Sequence, residues 1–247
     1  MENLEAVLES TYLKTAVEAQ LTESENLNMV VGFVKQAITH NFVLVMLRPQ
    51  HLTIAKDIII QNSSSLRLGT VIDFPLGISD TYEKIKEAEI AITNGANELD
   101  FVLNYQAYLN HEYQRVENEI LDCTKYVLDR GLVIKWIIES DALNNHQIMH
   151  LCQLIRSVIS INFSQIDYEK IYVKSSTGYF KKKGVVNGVT ADVIELIKEN
   201  AKPILVKASA GVRTKQDVLN MLKAGASRIG TSSALSIIKN KTSNSDY

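Results

Sequence analysis

Only two cysteines, three prolines and one tryptophan occur in 247 residues, and aromatic side chains make up 7%. Cys123 and Cys152 fall on the apolar faces of expected helices, where a free thiol packs as a small hydrophobe, so no disulfide framework is read. The scarcity of proline and the lack of any biased stretch exclude a low-complexity stalk or an internal linker. Basic surplus is absent too. Lys and Arg number 26 against 28 Asp and Glu, a net charge of −2, which leaves nothing with which to hold nucleic acid by its phosphates. No window approaches the roughly 18 uninterrupted apolar residues of a membrane-spanning helix. The opening Met1-Glu2-Asn3-Leu4-Glu5 lacks the basic stretch of a secretory leader, so a cytoplasmic protein is expected. The histidines at 40, 51, 111, 146 and 150 come with no carboxylate or cysteine set that completes a metal site; neither metal nor cofactor is expected.

What is present is a regular alternation. The apolar segment at 4–13 supplies a first strand, and Thr22-Glu23-Ser24-Glu25 reads as a capping box opening a helix over 22–39. Apolar runs follow at 42–47, 66–74, 99–103 and 132–138, then one ending at Lys174, one at 203–207 and a short one at 227–230. Between them lie helical patterns at 50–61, from Asp80 to about 94, at 105–129 as one long helix, around Ile148 to Ile159, at 190–200 and from Thr214. A last helix starts at Thr231-Ser232-Ser233. Eight continuous apolar strands alternating with helices argue a parallel sheet with right-handed crossovers. Eight such units in a chain of this length predict a single α/β domain over 1–239, closed as a (β/α)₈ barrel of about 250 residues, with a short N-terminal extension and a flexible tail at 240–247.

Barrel chemistry sits at the C-terminal ends of the strands, and here those ends carry Asp100, Lys135, Glu139, Lys174, Ser176, Thr177, Lys207 and Ser209. Lys174 and Lys207 close apolar runs at matching places in consecutive units. Burying an ammonium is costly without compensation, and a single buried charge is as readily structural as chemical. Two lysines and an aspartate converging on one mouth point to chemistry. On neighbouring strands about 4.8 Å apart, each lysine lowers the other's proton affinity, and a neutral amine attacks carbonyls. The small-residue turns Ala208-Ser209-Ala210-Gly211 and Gly230-Thr231-Ser232-Ser233 lead into helices and suit an anion such as phosphate, although such glycines also serve plain tight turns. Lys181-Lys182-Lys183 is either a solvated face or a device for steering an anionic substrate.

These motifs resemble those of the deoxyribose-phosphate aldolases, a Schiff-base family on the same barrel, in order from about Leu8 onward. Val173-Lys174-Ser175-Ser176-Thr177-Gly178 is similar to the family's Lys-Thr-Ser-Thr-Gly. Val206-Lys207-Ala208-Ser209-Ala210-Gly211 resembles its second-lysine motif, with Ala210 where Gly is usual. Asn94-Gly95-Ala96-Asn97-Glu98-Leu99-Asp100 resembles the segment bearing its proton-relay aspartate. Val71-Ile72-Asp73-Phe74-Pro75-Leu76-Gly77 and the strand from Lys135 to Ser140 also match. The resemblance implies reversible cleavage of 2-deoxy-D-ribose 5-phosphate to acetaldehyde and D-glyceraldehyde 3-phosphate, in a likeness to homodimeric enzymes. It makes Lys174 the nucleophile, Lys207 and Asp100 its partners, and Tyr247 a terminal residue that assists proton transfer. Thr177, Gly178, Ala210, Gly211, Ser232 and Ser233 are implied as substrate and phosphate contacts, with Lys135 and Glu139 supporting. Glu9-Ser10-Thr11 stands where the family has an Asp-containing triplet, and Met46-Leu47-Arg48-Pro49 replaces a Cys-x-Asn-Pro-like strand end. Both departures fall on the acceptor side. The alternatives kept open are an aldolase with a preference for non-phosphorylated acceptors, a barrel that binds phosphate without catalysis, and an isomerase using Asp100 or Glu139 as base.

Overall fold

The computed structural model describes residues 3–181 and 188–239. Eight parallel strands close on themselves in sequence order: β1 (Leu8–Tyr12), β2 (Leu44–Leu47), β3 (Arg67–Ile72), β4 (Glu98–Val102), β5 (Val133–Ile137), β6 (Ile171–Lys174), β7 (Leu205–Ser209) and β8 (Arg228–Thr231). Closure through the β1–β8 pairing, where Leu8 is opposite Ile229, leaves no edge. The (β/α)₈ barrel expected from the alternation is thus the observed architecture. Among the described residues the helices are α1 (Ala16–Ala19), α2 (Glu23–Thr39), α3 (Leu52–Gln61), α4 (Thr81–Thr93), α5 (Tyr105–Leu109), α6 (Tyr113–Leu128), α7 (Asn145–Asn162), α8 (Ala191–Ala201), α9 (Lys215–Lys223) and α10 (Ala234–Ile238). No described helix is long and apolar enough to cross a membrane.

Local chemistry sets the helix boundaries. Thr22 with Glu25 and Thr214 with Asp217 form capping boxes, and Asp80 accepts from the Glu83 amide, each satisfying an N–H that the first turn cannot. The same device at Thr15 and Glu18 starts α1, whose four residues are too few to show a helical period in the sequence. The single helix expected over 105–129 is two. Asn104 caps α5, and the chain then turns at His111, whose φ is 63° and whose Nδ1 lies 2.7 Å from the Tyr113 hydroxyl, before α6 begins. The polar connection after α7 contains a 3₁₀ stretch, Gln165–Lys170.

Side chains alternate across each strand. The outward set, including Leu8, Val45, Leu47, Phe101, Trp136, Val173 and Val206, packs with the helices into one core. The Trp136 indole N–H donates to Thr124 Oγ1 at 3.1 Å, so the largest buried ring leaves no polar atom unpaired. The inward set is divided. Leu13, Leu44, Met46 and Val71 form a separate apolar cluster beside β1, β2 and β3. Gly69 makes room for it: a Cβ there would lie 2.7 Å from Met46 Cε and 3.0 Å from Leu44 Cδ2. The opposite sector of the interior, from β4 round to β8, holds buried charges. Tyr247, the rest of the expected tail and Lys182 and Lys183 of the basic run lie outside the described residues; Lys181 is exposed.

Candidate active site at the barrel mouth

Lys174 ends β6 and Lys207 lies in β7, and the two are partners in the strand register, which the matching positions in consecutive units had implied. Asp100 on β4 lies between them: its Oδ2 accepts from Lys174 Nζ at 2.9 Å and from Lys207 Nζ at 2.7 Å, while its Oδ1 accepts from Lys135 at 2.9 Å. All four groups are buried. Asp100, Lys135 and Lys207, expected at strand ends, instead lie mid-strand in β4, β5 and β7, with Asp100 and Lys135 opposite each other in register.

The number of carboxylates at each ammonium ranks the three lysines. Among the described residues Lys135 lies within 4 Å of Glu98, Asp100 and Glu9 (2.6, 2.9 and 3.6 Å), and Lys207 contacts Asp100 and Glu9, whereas Lys174 has Asp100 alone. An opposite charge within a few ångströms holds a proton on, and burial drives it off. Lys174, buried with one carboxylate and a neighbouring cation, is therefore the lysine that loses its proton. Burial and then the Lys207 charge push it down to about 8 against the pull of Asp100. Lys135 goes the other way. Burial opposes its charge, but Asp100, Glu9 and Glu98 together raise its proton affinity above that of an ordinary lysine. Burial alone would raise the Asp100 carboxyl, yet Lys135, Lys174 and Lys207 hold it well below the usual carboxylate range.

Below these groups the network runs on through residues the sequence reading assigned no role. Glu9 bonds Lys207 and lies 3.5 Å from Arg228, and Glu98 meets Arg67 at 2.7 Å and Arg228 at 3.5 Å. A signal for Glu98 was available: it is two residues before Asp100 on one strand, so both must share a face. Glu9 had a weaker one, an acid inside an apolar run.

Among the described residues Glu139 takes no cation. It accepts from both the Thr177 backbone N–H, at 3.2 Å, and the Thr177 hydroxyl. Burial raises its carboxyl, with these two bonds opposing. Thr177 thus serves as an anchor of the loop after β6, and its donors face Glu139. Ser175, Ser176 and Ser209 tie that loop to the next: Ser175 Oγ donates to Ser209 O at 2.9 Å, and Ser209 Oγ donates to Ser176 O at 2.6 Å. This brings Gly178 beside Ala210 and Gly211, whose φ values of 81°, 78° and 80° are all left-handed. A Cβ on Gly211 would come within 2.6 Å of Gly188 Cα, so the approach of the two loops requires glycine there. Ser232 and Ser233 follow β8, where the Ser233 N–H donates to Thr231 Oγ1 at 2.9 Å and the Thr231 hydroxyl donates to Val212 O at 2.7 Å.

His146 and His150 lie apart from this site, lining a surface cleft of about 330 Å³ with Tyr108 and Tyr113. Among the described residues no group of three or more His, Cys, Asp and Glu side chains is arranged to hold a metal. Cys123 and Cys152 are buried free thiols, raised by that burial.

The arrangement is therefore a buried amine poised near neutrality, a second ammonium and a shared carboxylate, at the mouth of a (β/α)₈ barrel. Comparison with known proteins gives the family. The chain is 34% identical to the deoxyribose-phosphate aldolase of Clostridium kluyveri over 90% of this chain and 94% of that one. It is 32% identical to the deoxyribose-phosphate aldolase of Thermococcus kodakarensis over 85% and 88%. The solved structure of QR15, an aldolase, superposes with a TM-score of 0.81 at 30% identity, covering 97% and 96% of the two chains. Residues 13–239 match the family described as DeoC/LacD family aldolase, and the chain belongs to that family.

Proposed function

We propose that the protein is a 2-deoxy-D-ribose 5-phosphate aldolase that works through a Schiff base on Lys174. The observation that carries the reading is the position of Lys174, buried with a single carboxylate among the described residues beside a second ammonium, so that far more of its amine is neutral near pH 7 than in an ordinary lysine. That amine attacks C1 of the open-chain sugar, and loss of water gives an iminium. Asp100, directly or through a water, takes the proton of the 3-hydroxyl as the C2–C3 bond breaks. The bonding pair moves into the iminium as an enamine, and D-glyceraldehyde 3-phosphate leaves. Protonation of the enamine at C2 and hydrolysis release acetaldehyde and restore Lys174. Lys207 supplies a neighbouring charge that adds to burial in favouring the neutral amine, and shares Asp100 with it. The phosphate is read onto the backbone of Gly178, Ala210 and Gly211 and of Ser232 and Ser233. The substrates are thus a phosphorylated sugar and small aldehydes, in a cytoplasmic enzyme; a homodimer is the expected assembly, which sedimentation velocity measures.

The deciding experiment is borohydride reduction in the presence of acetaldehyde followed by peptide mass mapping. A single adduct on Lys174, lost in Lys174→Ala, supports the reading. An adduct on Lys207 reverses the two lysines, and none on either returns the chain to a non-catalytic phosphate-binding barrel. A second reading, preference for a non-phosphorylated acceptor, is favoured by one observation: Ala210 places a methyl group facing Gly178, in the loop pair assigned to phosphate.

A further inference from the structure

Glu9 is a fully buried carboxylate that the Schiff-base chemistry does not itself use. It lies on β1, facing the barrel interior. Around it are Lys207 from β7, Lys135 from β5 and Arg228 from β8, with Glu98 and Asp100 from β4 and Tyr172 and Lys174 from β6; neighbouring β2 offers only the apolar Leu44 and Met46. Its two oxygens divide the work. Oε2 bonds the Lys207 ammonium, and Oε1 lies 3.5 Å from Arg228 and 3.6 Å from Lys135.

Among the described residues Asp100 is the one carboxylate shared by all three lysines. Without Glu9, Lys207 would have Asp100 as its sole carboxylate among the described residues. We infer that Glu9 is a positioning residue of the aldol reaction: by taking up part of the Lys207 charge it leaves Asp100 available to Lys174, and so fixes the acid limit below which Lys174 stops reacting with aldehydes. This rests on the aldolase reading above. Two effects of opposite sign follow from removing the charge. The buried site gains one net positive charge, so Lys174 gives up its proton at lower pH and forms iminium in more acidic solution. Asp100, now drawn fully onto Lys207 and Lys135, is a poorer acceptor for the substrate hydroxyl, so turnover falls. A residue that merely supported the fold would not separate these two.

The test is the rate of cyanoborohydride-trapped acetaldehyde adduct at Lys174, read by mass spectrometry from about pH 5 to about pH 9, together with kcat for cleavage. Glu9→Gln is expected to move the acid midpoint of trapping down by about half a unit, roughly threefold more free amine on the acid side, while kcat falls about tenfold. Arg228→Met removes a cation from the same carboxylate and is expected to move the midpoint up. It also decides the question if Glu9→Gln does not fold. Glu9→Gln combined with Arg228→Met removes one charge of each sign and should return the midpoint towards wild type. A midpoint that stays fixed in all folded variants, with only the melting temperatures changed, overturns the inference. Absence of any Lys174 adduct in the wild-type protein counts against the aldolase reading instead.

Discussion

Ala210 has a φ of 78° and is nearly fully buried. A Cβ in the left-handed region crowds the following carbonyl, at about 1–2 kcal/mol relative to right-handed backbone, and glycine escapes it. Replacing Ala210 by Gly also loosens the unfolded chain, which takes back about 0.4–1 kcal/mol. The net expectation for Ala210→Gly is a gain of about 0.5 kcal/mol in chemical denaturation. The same change removes the methyl that faces Gly178, so the ratio of kcat/KM for deoxyribose 5-phosphate to that for deoxyribose should rise by roughly threefold or more, since one methyl in a close-fitting site is worth about 1 kcal/mol. An unchanged ratio would separate Ala210 from phosphate recognition and move the phosphate elsewhere on the rim. That alanine was visible in the sequence as a departure from Gly. Its positive φ was not, because an alanine gives no local sign of left-handed backbone.

Between elements, the strongest tie near the site is one ammonium. Lys84 on α4 is completely buried and donates to Gly77 O at 3.1 Å, to Val102 O at 2.7 Å and to Glu119 Oε1 at 2.7 Å, with Asp73 at 3.5 Å. It thereby joins α4, α6, the turn after β3 and the end of β4, two residues beyond Asp100. Glu119 is further held by the Asn104 N–H at 3.2 Å. Neither member stood out in the sequence. Lys84 sits one residue before Ile85 on a helix otherwise rich in charge, and Glu119 adjoins the apolar stripe of Val116, Ile120 and Cys123, so each reads as a flanking surface charge until α4 and α6 are packed together. Helix starts were legible because Thr22, Asp80 and Thr214 act on amides three residues away, whereas this pair is separated by 35 positions. Removing one partner of a buried pair leaves the other uncompensated, so Lys84→Met is expected to destabilise by about 3–5 kcal/mol in urea denaturation. Lys84→Met combined with Glu119→Leu should recover most of that loss. A single-variant loss below about 1 kcal/mol would show that water reaches Glu119 when Lys84 is removed.

For the molecule as a whole, barrel closure and the lysine pair were legible because both follow from period and spacing: strand runs counted to eight, and Lys174 and Lys207 ended consecutive ones. The charged sector beneath them was only half legible, since Glu9 and Arg228 meet across the β1–β8 seam, between strands at opposite ends of the chain. That sector dictates how stability depends on pH. Asp100 and Glu98 bind protons less tightly folded than unfolded, so the stability they contribute is present above the unfolded carboxylate range and is lost as pH falls through their folded values. Lys174 acts at the other end of the scale. Its folded value of about 8 lies below the ordinary 10.5, so between these two the unfolded chain carries the extra proton and the unfolding free energy rises with pH. At about 1.4 kcal/mol per unit this amounts to about 3 kcal/mol across the window. Below it both states are protonated and the slope vanishes. Other lysines and tyrosines titrate in the same range, so the measurement is the difference between wild type and Lys174→Met, by denaturant unfolding at a series of pH values. That difference should move in favour of wild type by about 3 kcal/mol from pH 8 to pH 10.5 and stay flat from about pH 6 to pH 8. A difference flat throughout would mean that the folded protein holds the Lys174 proton as tightly as water does, and the neutral amine on which the Schiff-base reading depends would lose its physical basis.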